Sequence, residues 1–213
     1  LGQCGGLGAL RLQRQGQGRR GGEAAGIVQP LNPLLSDEKL VSLMNAGRAK
    51  VLIAWGADED SGFWSKAMRI RALVPSLTAV LRVAPVHEKN ALDLPEGVFD
   101  FTAERKRERN DCLVSGRIIA PNDIAAYFHT GGTTGAPKLA RHSHGAQVFT
   151  AWGCVQMQGV RSTDVTINGY PLFHVAGVLP GSLTSLSAGV EVVIPTTSLF
   201  RNRDVIKNYW MLV

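Results

Sequence analysis

The residues best suited to chemistry in this 213-residue sequence form a Gly- and Thr-rich stretch at 129–138, which begins with His129 and ends in Pro137 and Lys138. Glycine lets the backbone turn through positive φ and approach a ligand closely. Successive turns of this kind direct several backbone N–H groups into one concavity, which suits an anion. The threonine hydroxyls add donors, and the ammonium group of Lys138 adds a positive charge that suits phosphate. The stretch therefore predicts a cradle for a polyphosphate.

An ordinary surface turn is the alternative interpretation, because Gly- and Thr-rich stretches commonly form turns. Pro137 fixes its own φ and restricts Ala136, so the stretch is stiffened just before the lysine. It also lies between a strand-like run at 124–128 and a helix-like run at 142–159, where α/β proteins place phosphate loops. It is not a Walker A loop, because Leu139 follows the lysine where that motif needs a magnesium-binding hydroxyl.

Residues 130–138 resemble the phosphate loop of the adenylate-forming (AMP-dependent synthetase/ligase) superfamily, which usually reads Thr-Ser-Gly-Thr/Ser-Thr-Gly-x-Pro-Lys. Gly131 stands at the position of the usual serine and keeps only its backbone donor. Two further segments agree in the family's order: the His-Ser-His run at 142–144 and the Pro-Leu-Phe-His-Val-Ala-Gly run at 171–177. The loop and the second of these runs are more typical of acyl-CoA synthetases than of peptide-synthetase domains, so the sequence is identified as the acyl-CoA synthetase type.

This resemblance implies ATP-dependent activation of a carboxylic acid to an acyl-adenylate and then to an acyl-CoA thioester, as in fatty acid metabolism. The substrates would be a small-molecule carboxylic acid, ATP and CoA, and Mg²⁺ would be held mostly outside this chain. The family's roles fall by resemblance on matching positions: phosphate binding on Thr130, Gly131, Gly132, Thr133, Thr134 and Gly135, catalysis on Lys138 and His174, and the acyl pocket on His174 and Gly177. No residue is assigned to a metal. For His174, a packed histidine in an apolar run is the alternative.

The resemblance covers residues 27–213, which are interpreted as a partial N-terminal AMP-binding domain that is truncated at its C-terminal end. The family's later Thr-Glu motif, its ribose-binding Asp and its C-terminal catalytic Lys do not occur in the sequence. We therefore expect an incomplete fragment that is inactive by itself. A non-catalytic nucleotide- or polyphosphate-binding module and an unrelated α/β phosphate-binding protein are the alternatives.

Residues 1–26 differ from the rest, since they hold nine of the 24 glycines and show little apolar periodicity. Such a segment buries too little surface to offset its ordering entropy, so it is predicted to be disordered. A GxGxxG match at 16–21 lacks the preceding strand and following helix that dinucleotide binding requires. The segment also carries half of the net charge of +6, which leaves no strong nucleic-acid signal in the remainder.

Strand and helix patterns alternate from residue 36 onward, which predicts an α/β fold with a largely parallel sheet. Ser36 is a suitable cap for a helix that ends near Gly47. The helix predicted at 142–159 lacks charged residues and is expected to be buried nearly all round, with its N-terminal dipole directed at the anion before it. Further predictions are strands at 51–55, 77–83, 165–168 and 190–194, helices near 58–74 and 201–212, and a helical crossover at 173–188 broken near Pro180. Loop is predicted over most of 84–123, within which the mixed-sign run at 104–109 is interpreted as a solvated helix face.

Three widely spaced cysteines without a CxxC pair favour neither a disulfide framework nor a zinc site, and they fit a reducing cytoplasm. The uncharged stretch between Asp164 and Glu191 is interrupted by Pro171 and Pro180, so no membrane span is predicted. Nothing in the sequence indicates an oligomeric state.

Overall fold

The computed structural model describes residues 7–12, 26–56, 62–85, 88, 93–108, 111, 118–130, 138–196 and 199–212. The strands are β1 (Leu7–Leu12), β2 (Gly26–Leu31), β3 (Val51–Trp55), β4 (Ala79–Val83), β5 (Val98–Asp100), β6 (Ile124–Thr130), β7 (Lys138–Ser143), β8 (Val165–Ile167) and β9 (Glu191–Val193). The first seven form one sheet in the order β5-β4-β3-β1-β2-β6-β7, and β8 pairs with β9 in a second sheet.

Helices connect and cover these strands. They are α1 (Asp37–Gly47), α2 (Phe63–Arg71), α3 (Phe101–Arg107), α4 (His144–Gln158), α5 (Val175–Val178), α6 (Thr184–Ser187), α7 (Arg203–Lys207) and α8 (Tyr209–Leu212), with a π-helical turn at Leu179–Leu183 and a 3₁₀ turn at Leu199–Arg201. Strand β5 lies inside the segment predicted to be mostly loop, and α3 overlaps the solvated helix face predicted at 104–109. The predicted crossover is present as α5, the π-helical turn and α6, and the turn begins beside Pro180.

Strands β3, β4 and β5 are mutually parallel, and β2 is parallel to β6. These pairings and the helices between them confirm the predicted α/β fold with a largely parallel sheet. Two strands depart from the parallel pattern: β1 runs antiparallel to both of its neighbours, and β7 runs antiparallel to β6.

Helix α1 forms where its sequence signals predict it. The Ser36 hydroxyl accepts a hydrogen bond from the Lys39 N–H at 3.4 Å, and two acidic residues occupy the first turn. Arg48 ends the helix in the left-handed region at φ 50°, with its N–H bonded to the Asn45 carbonyl. The apolar face of α1 packs with β3, β4 and α2 into one core of Leu31, Leu40, Leu43, Met44, Ala49, Leu52, Ala54, Ala67, Ile70, Val74, Val80 and Val98.

Strand β1 corrects the expectation of disorder for part of residues 1–26. Leu7 pairs with Leu31 of β2 on one side and with Ala54 of β3 on the other. The strand thereby supplies backbone partners to two edges that would otherwise be open, a gain that composition does not reveal. The remaining residues before Gly26, including the GxGxxG match, lie outside the described residues.

Strand β7 corrects the predicted start of the helix that follows the Gly- and Thr-rich stretch. Residues 138–143 return along β6 as an antiparallel strand, and α4 begins only at His144. The Ser143 hydroxyl sets this start, because it accepts a hydrogen bond from the Ala146 N–H at 3.1 Å.

The expected burial of α4 on nearly all sides is wrong. Among its residues only Ala151 is buried, whereas Phe149 is 70% exposed and Trp152 is 56% exposed. The helix packs against β7, α6 and the π-helical turn, and its other surface faces outward. An apolar pattern shows which side chains favour burial, but tertiary contacts decide which of them are covered.

Candidate functional site

The predicted phosphate loop connects two paired strands. Thr130 is the last residue of β6, Lys138 is the first residue of β7, and the two are directly opposite in the ladder. Directly paired residues place their side chains on the same face of a sheet, and both of these residues are exposed. The structure thus brings the hydroxyl and the ammonium group to the two ends of the same connection.

The remaining predicted phosphate-binding residues, Gly131, Gly132, Thr133, Thr134 and Gly135, lie outside the described residues. Their assignment stays a prediction. The structure does show where this connection begins. Strand β6 is parallel to β2, and the connection leaves the carboxyl end of β6. In open α/β sheets, ligands bind at the carboxyl ends of the parallel strands.

Helix α4 does not direct its N-terminus at this connection. Its first residue, His144, follows the six-residue strand β7, which separates it from Lys138. Because an extended strand rises about 3.3 Å per residue, the helix begins roughly 17–20 Å along the hairpin from the loop. The dipole effect falls off within one turn, so the sequence-based expectation of a helix dipole behind the anion is wrong.

His174 is the N-cap residue of α5, and its orientation is fixed by the backbone. Its Nδ1 accepts a hydrogen bond from the Ala176 N–H at 3.1 Å. In the neutral imidazole the proton therefore resides on Nε2, which is left as a donor. The residue is exposed, so the alternative of a packed histidine does not describe its side chain.

His129 joins the two motifs. Its ring stacks on that of Phe173, with the ring centroids 6.3 Å apart and the planes inclined by 29°. It lies one residue before Thr130, and Phe173 lies one residue before His174, so this contact places the loop's first strand beside the second motif. Sequence reasoning gave His129 no role, and its position next to the loop was the available signal.

The environment of His129 favours the neutral imidazole. Burial lowers the pKa of His129, the Pro30 carbonyl acts in the opposite direction, and nearby His174 lowers the pKa further. The Nδ1 atom of His129 is buried and has no hydrogen-bond partner among the described residues.

Gly177 is required by close packing. A Cβ atom at this position would stand 2.3 Å from the Pro171 carbonyl oxygen. The Gly177 carbonyl accepts hydrogen bonds from the buried Asn168 side-chain amide at 2.9 Å and from the Ser182 hydroxyl at 2.8 Å. These contacts fix the segment that carries His174, whereas the predicted role of Gly177 in an acyl pocket stays a prediction.

Within the part of the chain that the structure describes, no group of three His, Cys, Asp or Glu side chains is arranged to hold a metal ion. The described residues therefore offer no such ligand set for the Mg²⁺ that the family resemblance implies. Over the same residues, no helix combines the length and apolar character needed to cross a membrane.

The fold and the site define an α/β protein that offers a Gly- and Thr-rich connection at the carboxyl end of a parallel strand, an arrangement typical of phosphate-binding proteins. A sequence model of the AMP-binding enzyme family matches residues 23–210, and the chain belongs to that family. The predicted membership of the adenylate-forming superfamily is thereby confirmed.

Its relatives include CoA ligases. Marinolic acid–CoA ligase of Pseudoalteromonas sp. (strain SANK 73390) is 28% identical over 199 residues, which cover 91% of this chain and 29% of that protein. The long-chain-fatty-acid–CoA ligase of Bacillus subtilis (strain 168) is 26% identical over 188 residues, which cover 80% of this chain and 33% of that protein. This chain thus spans about a third or less of the length of these two relatives.

A solved structure shares the fold. The crystal structure of the anthranilate CoA ligase AuaEII in complex with anthranoyl-AMP superposes with a TM-score of 0.63 at 23% sequence identity. The superposition covers 78% of this chain and 30% of the ligase.

Proposed function

We propose that this chain supplies the phosphate-binding part of an enzyme that activates a carboxylic acid with ATP and transfers the acyl group to CoA. The observation that carries the proposal is the pairing of Thr130 with Lys138 at the carboxyl end of β6. This pairing holds both ends of a connection whose sequence resembles a family phosphate loop. Membership of the AMP-binding family and CoA-ligase relatives support the same chemistry.

In this reaction a carboxylate oxygen attacks the α-phosphorus of ATP, and the bond to the bridging oxygen breaks as pyrophosphate leaves. The thiol of CoA then attacks the acyl carbon and displaces AMP. No covalent enzyme nucleophile is needed, so the protein acts by positioning the reactants and stabilising developing charge. We assign the β- and γ-phosphates to the connection at 130–135, with Lys138 adding positive charge.

His174 is assigned to the carboxylate side of the reaction and to the wall of the acyl pocket. Its fixed Nδ1 leaves Nε2–H free to donate toward an anionic oxygen. Binding the acid there would place it near the end of β6, because the His129–Phe173 contact brings this strand and the segment of His174 together. CoA ligation, the adenine site and the Mg²⁺ ligands are assigned to parts of the enzyme outside residues 27–213, and the chain alone is expected to bind polyphosphate without completing turnover.

Binding of tripolyphosphate to the 213-residue chain, measured by calorimetry, tests the loop assignment. Lys138→Ala should weaken binding by roughly 10- to 150-fold, because a charge-assisted hydrogen bond is worth about 1.5–3 kcal/mol. Lys207→Ala is the matched control, since Lys207 is also exposed but lies on α7. Gly132→Val should abolish binding by placing a side chain where the backbone approaches phosphate. Equal affinity in all variants would contradict the site.

The catalytic half of the proposal is tested by AMP and thioester formation from ATP, CoA and a panel of fatty and aryl acids. The chain alone should give no turnover near the enzyme-typical value of about 1 per second or more. Turnover at that rate would refute the assignment of essential groups to other parts of the enzyme. Conversely, a longer protein carrying this chain that binds ATP but forms no acyl-adenylate would favour a binding module.

A further inference from the structure

The contact between His129 and Phe173 joins the two segments of the candidate site. Phe173 belongs to the segment that carries His174, and His129 belongs to the strand that leads into the predicted phosphate loop. Each ring is therefore one residue away from a group assigned to the reaction. We propose that His129 is a positioning residue that sets the distance between the paired residues Thr130 and Lys138 and the imidazole of His174, an inference that rests on the proposed function.

The strand geometry shows that His129 acts through another residue. Successive side chains of a strand point to opposite faces, so His129 is directed away from the face that carries Thr130. Its side chain meets Phe173 on that other face, with ring centroids 6.3 Å apart. The ring thus lies on the opposite face of β6 from Thr130, and its influence on bound phosphate passes through the backbone of β6.

The segment that carries Phe173 and His174 is also held in a fixed conformation. His174 is held by the hydrogen bond from the Ala176 N–H to its Nδ1, and Gly177 packs closely on the Pro171 carbonyl. Moving Phe173 therefore moves a segment whose internal geometry is fixed, and His174 moves with it. The stacked pair transmits the position of β6 to the imidazole of His174.

The chemistry of the His129 ring argues against a role in stability alone. Its buried Nδ1 finds no partner among the described residues, and an unsatisfied buried polar atom is a cost that an apolar ring would avoid. A phenylalanine would stack on Phe173 without this cost, but it would lose the hydrogen bond with the Pro30 carbonyl. The histidine therefore links β6 to Phe173 by its ring face and to β2 by this hydrogen bond.

Small displacements at this contact would matter for the reaction. The carboxylate oxygen and the α-phosphorus must approach to about 3–3.5 Å, and a misplacement of about 1 Å can reduce the rate by roughly a hundredfold. The loop determines where the phosphates lie, and His174 is assigned to the carboxylate. A residue that sets the spacing of these two elements therefore affects the chemistry without touching either substrate.

The test uses the 213-residue chain, tripolyphosphate as the probe, and imidazole NMR signals assigned by single histidine substitutions. Saturating tripolyphosphate should shift the His174 signals in the unmodified chain and in His129→Phe, which keeps the stacked ring. In His129→Ala this shift should be lost while the affinity for tripolyphosphate is retained. His142→Ala is the matched control, because the His142 ring contacts Phe128, at 5.0 Å between centroids, and not Phe173.

The outcomes separate the two proposals. If tripolyphosphate fails to bind the unmodified chain, the proposed function fails and the inference falls with it. If it binds but His129→Ala keeps the full His174 shift, or His129→Phe loses it, only the inference is overturned. Should His129→Ala not fold, Phe173→Leu removes the partner ring and must also abolish the shift. Failure of both variants to fold would assign the contact to stability and overturn the positioning role.

Discussion

Helices α1 and α4 both carry apolar faces, but only the face of α1 is covered. Leu40, Leu43 and Met44 of α1 are completely buried against β3, β4 and α2. On α4, by contrast, Phe149 and Trp152 remain more than half exposed. The sequences of both helices favour burial, so the difference lies in the partners that the fold provides.

The exposed face of α4 borders a shallow apolar groove of about 510 Å³, lined by Ile119, Ala120, Pro121, His144, Gly145, Val148, Phe149 and Trp152. Contiguous apolar surface of this kind is uncommon on soluble monomers and favours association with another surface. The two regions therefore differ in how they are stabilised. The region around α1 has its own apolar core, whereas the region around α4 depends more on buried hydrogen bonds and on the contacts of the inward face of α4.

The largest expected loss of stability comes from a substitution on the covered face of α1. Leu43→Ala should reduce the free energy of unfolding by about 2–5 kcal/mol, because it removes buried methyl groups and leaves a cavity. Val148→Ala on the exposed face of α4 should change it by no more than about 0.5 kcal/mol. Urea unfolding followed by circular dichroism measures both values. Similar losses in the two variants would show that the α4 face is in fact covered.

A smaller loss of stability is expected when the buried hydrogen bonds of Asn168 are removed. Asn168 is buried and donates to the Gly177 carbonyl and to the Ser182 hydroxyl, both at 2.9 Å. Asn168→Ala should reduce the free energy of unfolding by about 1–3 kcal/mol, because the buried partners lose their donor. Asn208→Ala, which removes an exposed hydrogen bond to the Asp204 carbonyl, is the control and should have little effect. An unchanged midpoint of urea unfolding in Asn168→Ala would show that these hydrogen bonds do not stabilise the fold.

The pH dependence of stability tests the buried environment of His129 on β6. The folded-state pKa of His129 is lowered, chiefly by burial, from an ordinary value of 6.5. The unfolded chain therefore binds more protons below that value, and stability is lost as the pH falls from above 6.5 toward the folded-state pKa. His129→Phe should remove this part of the pH dependence, whereas His142→Phe should retain it. Identical unfolding profiles across pH in both variants would contradict the assignment.

The smallest change in stability is expected where the apolar side chains are exposed. The double variant Phe149→Gln, Trp152→Gln should alter the free energy of unfolding by no more than about 0.5 kcal/mol. It should, however, reduce binding of an apolar dye and any concentration-dependent self-association, because it removes most of the patch. Sedimentation and dye fluorescence measure these properties. A large loss of stability would instead identify a buried role for these side chains.

Local signals predicted the elements that depend on local chemistry. Ser36, with the acidic turn after it, predicted the start of α1, and the apolar run at 51–55 predicted β3. Strand β7 was missed because Lys138–Ser143 has no clear apolar alternation. The strand is stabilised by pairing with β6 on the other side of the loop, which the residues of β7 alone do not indicate. The phosphate-loop motif itself encouraged the expectation of a helix directly after it.

The candidate site was predictable in its residue types and less so in its geometry. Thr130 and Lys138 were identified from the loop motif, and their direct pairing follows from the hairpin. His129 adjoins the loop motif, but its contact with Phe173, 44 positions later in the chain, has no local signal. Contacts of this separation depend on how whole elements pack, which a local pattern does not encode.

The parallel pairing of β2 with β6 has a consequence for the order of events during synthesis. Val28 pairs with Ala126, 98 positions later, whereas β6 and β7 pair across a short connection. At about 5–20 residues per second, β2 leaves the ribosome roughly 5–20 s before its neighbour is available. During that interval its open edge can pair with other chains. The β6–β7 hairpin forms quickly once both strands are synthesised, but β2 waits for β6 throughout this interval. A chaperone that shields strand edges should therefore raise the yield of folded protein.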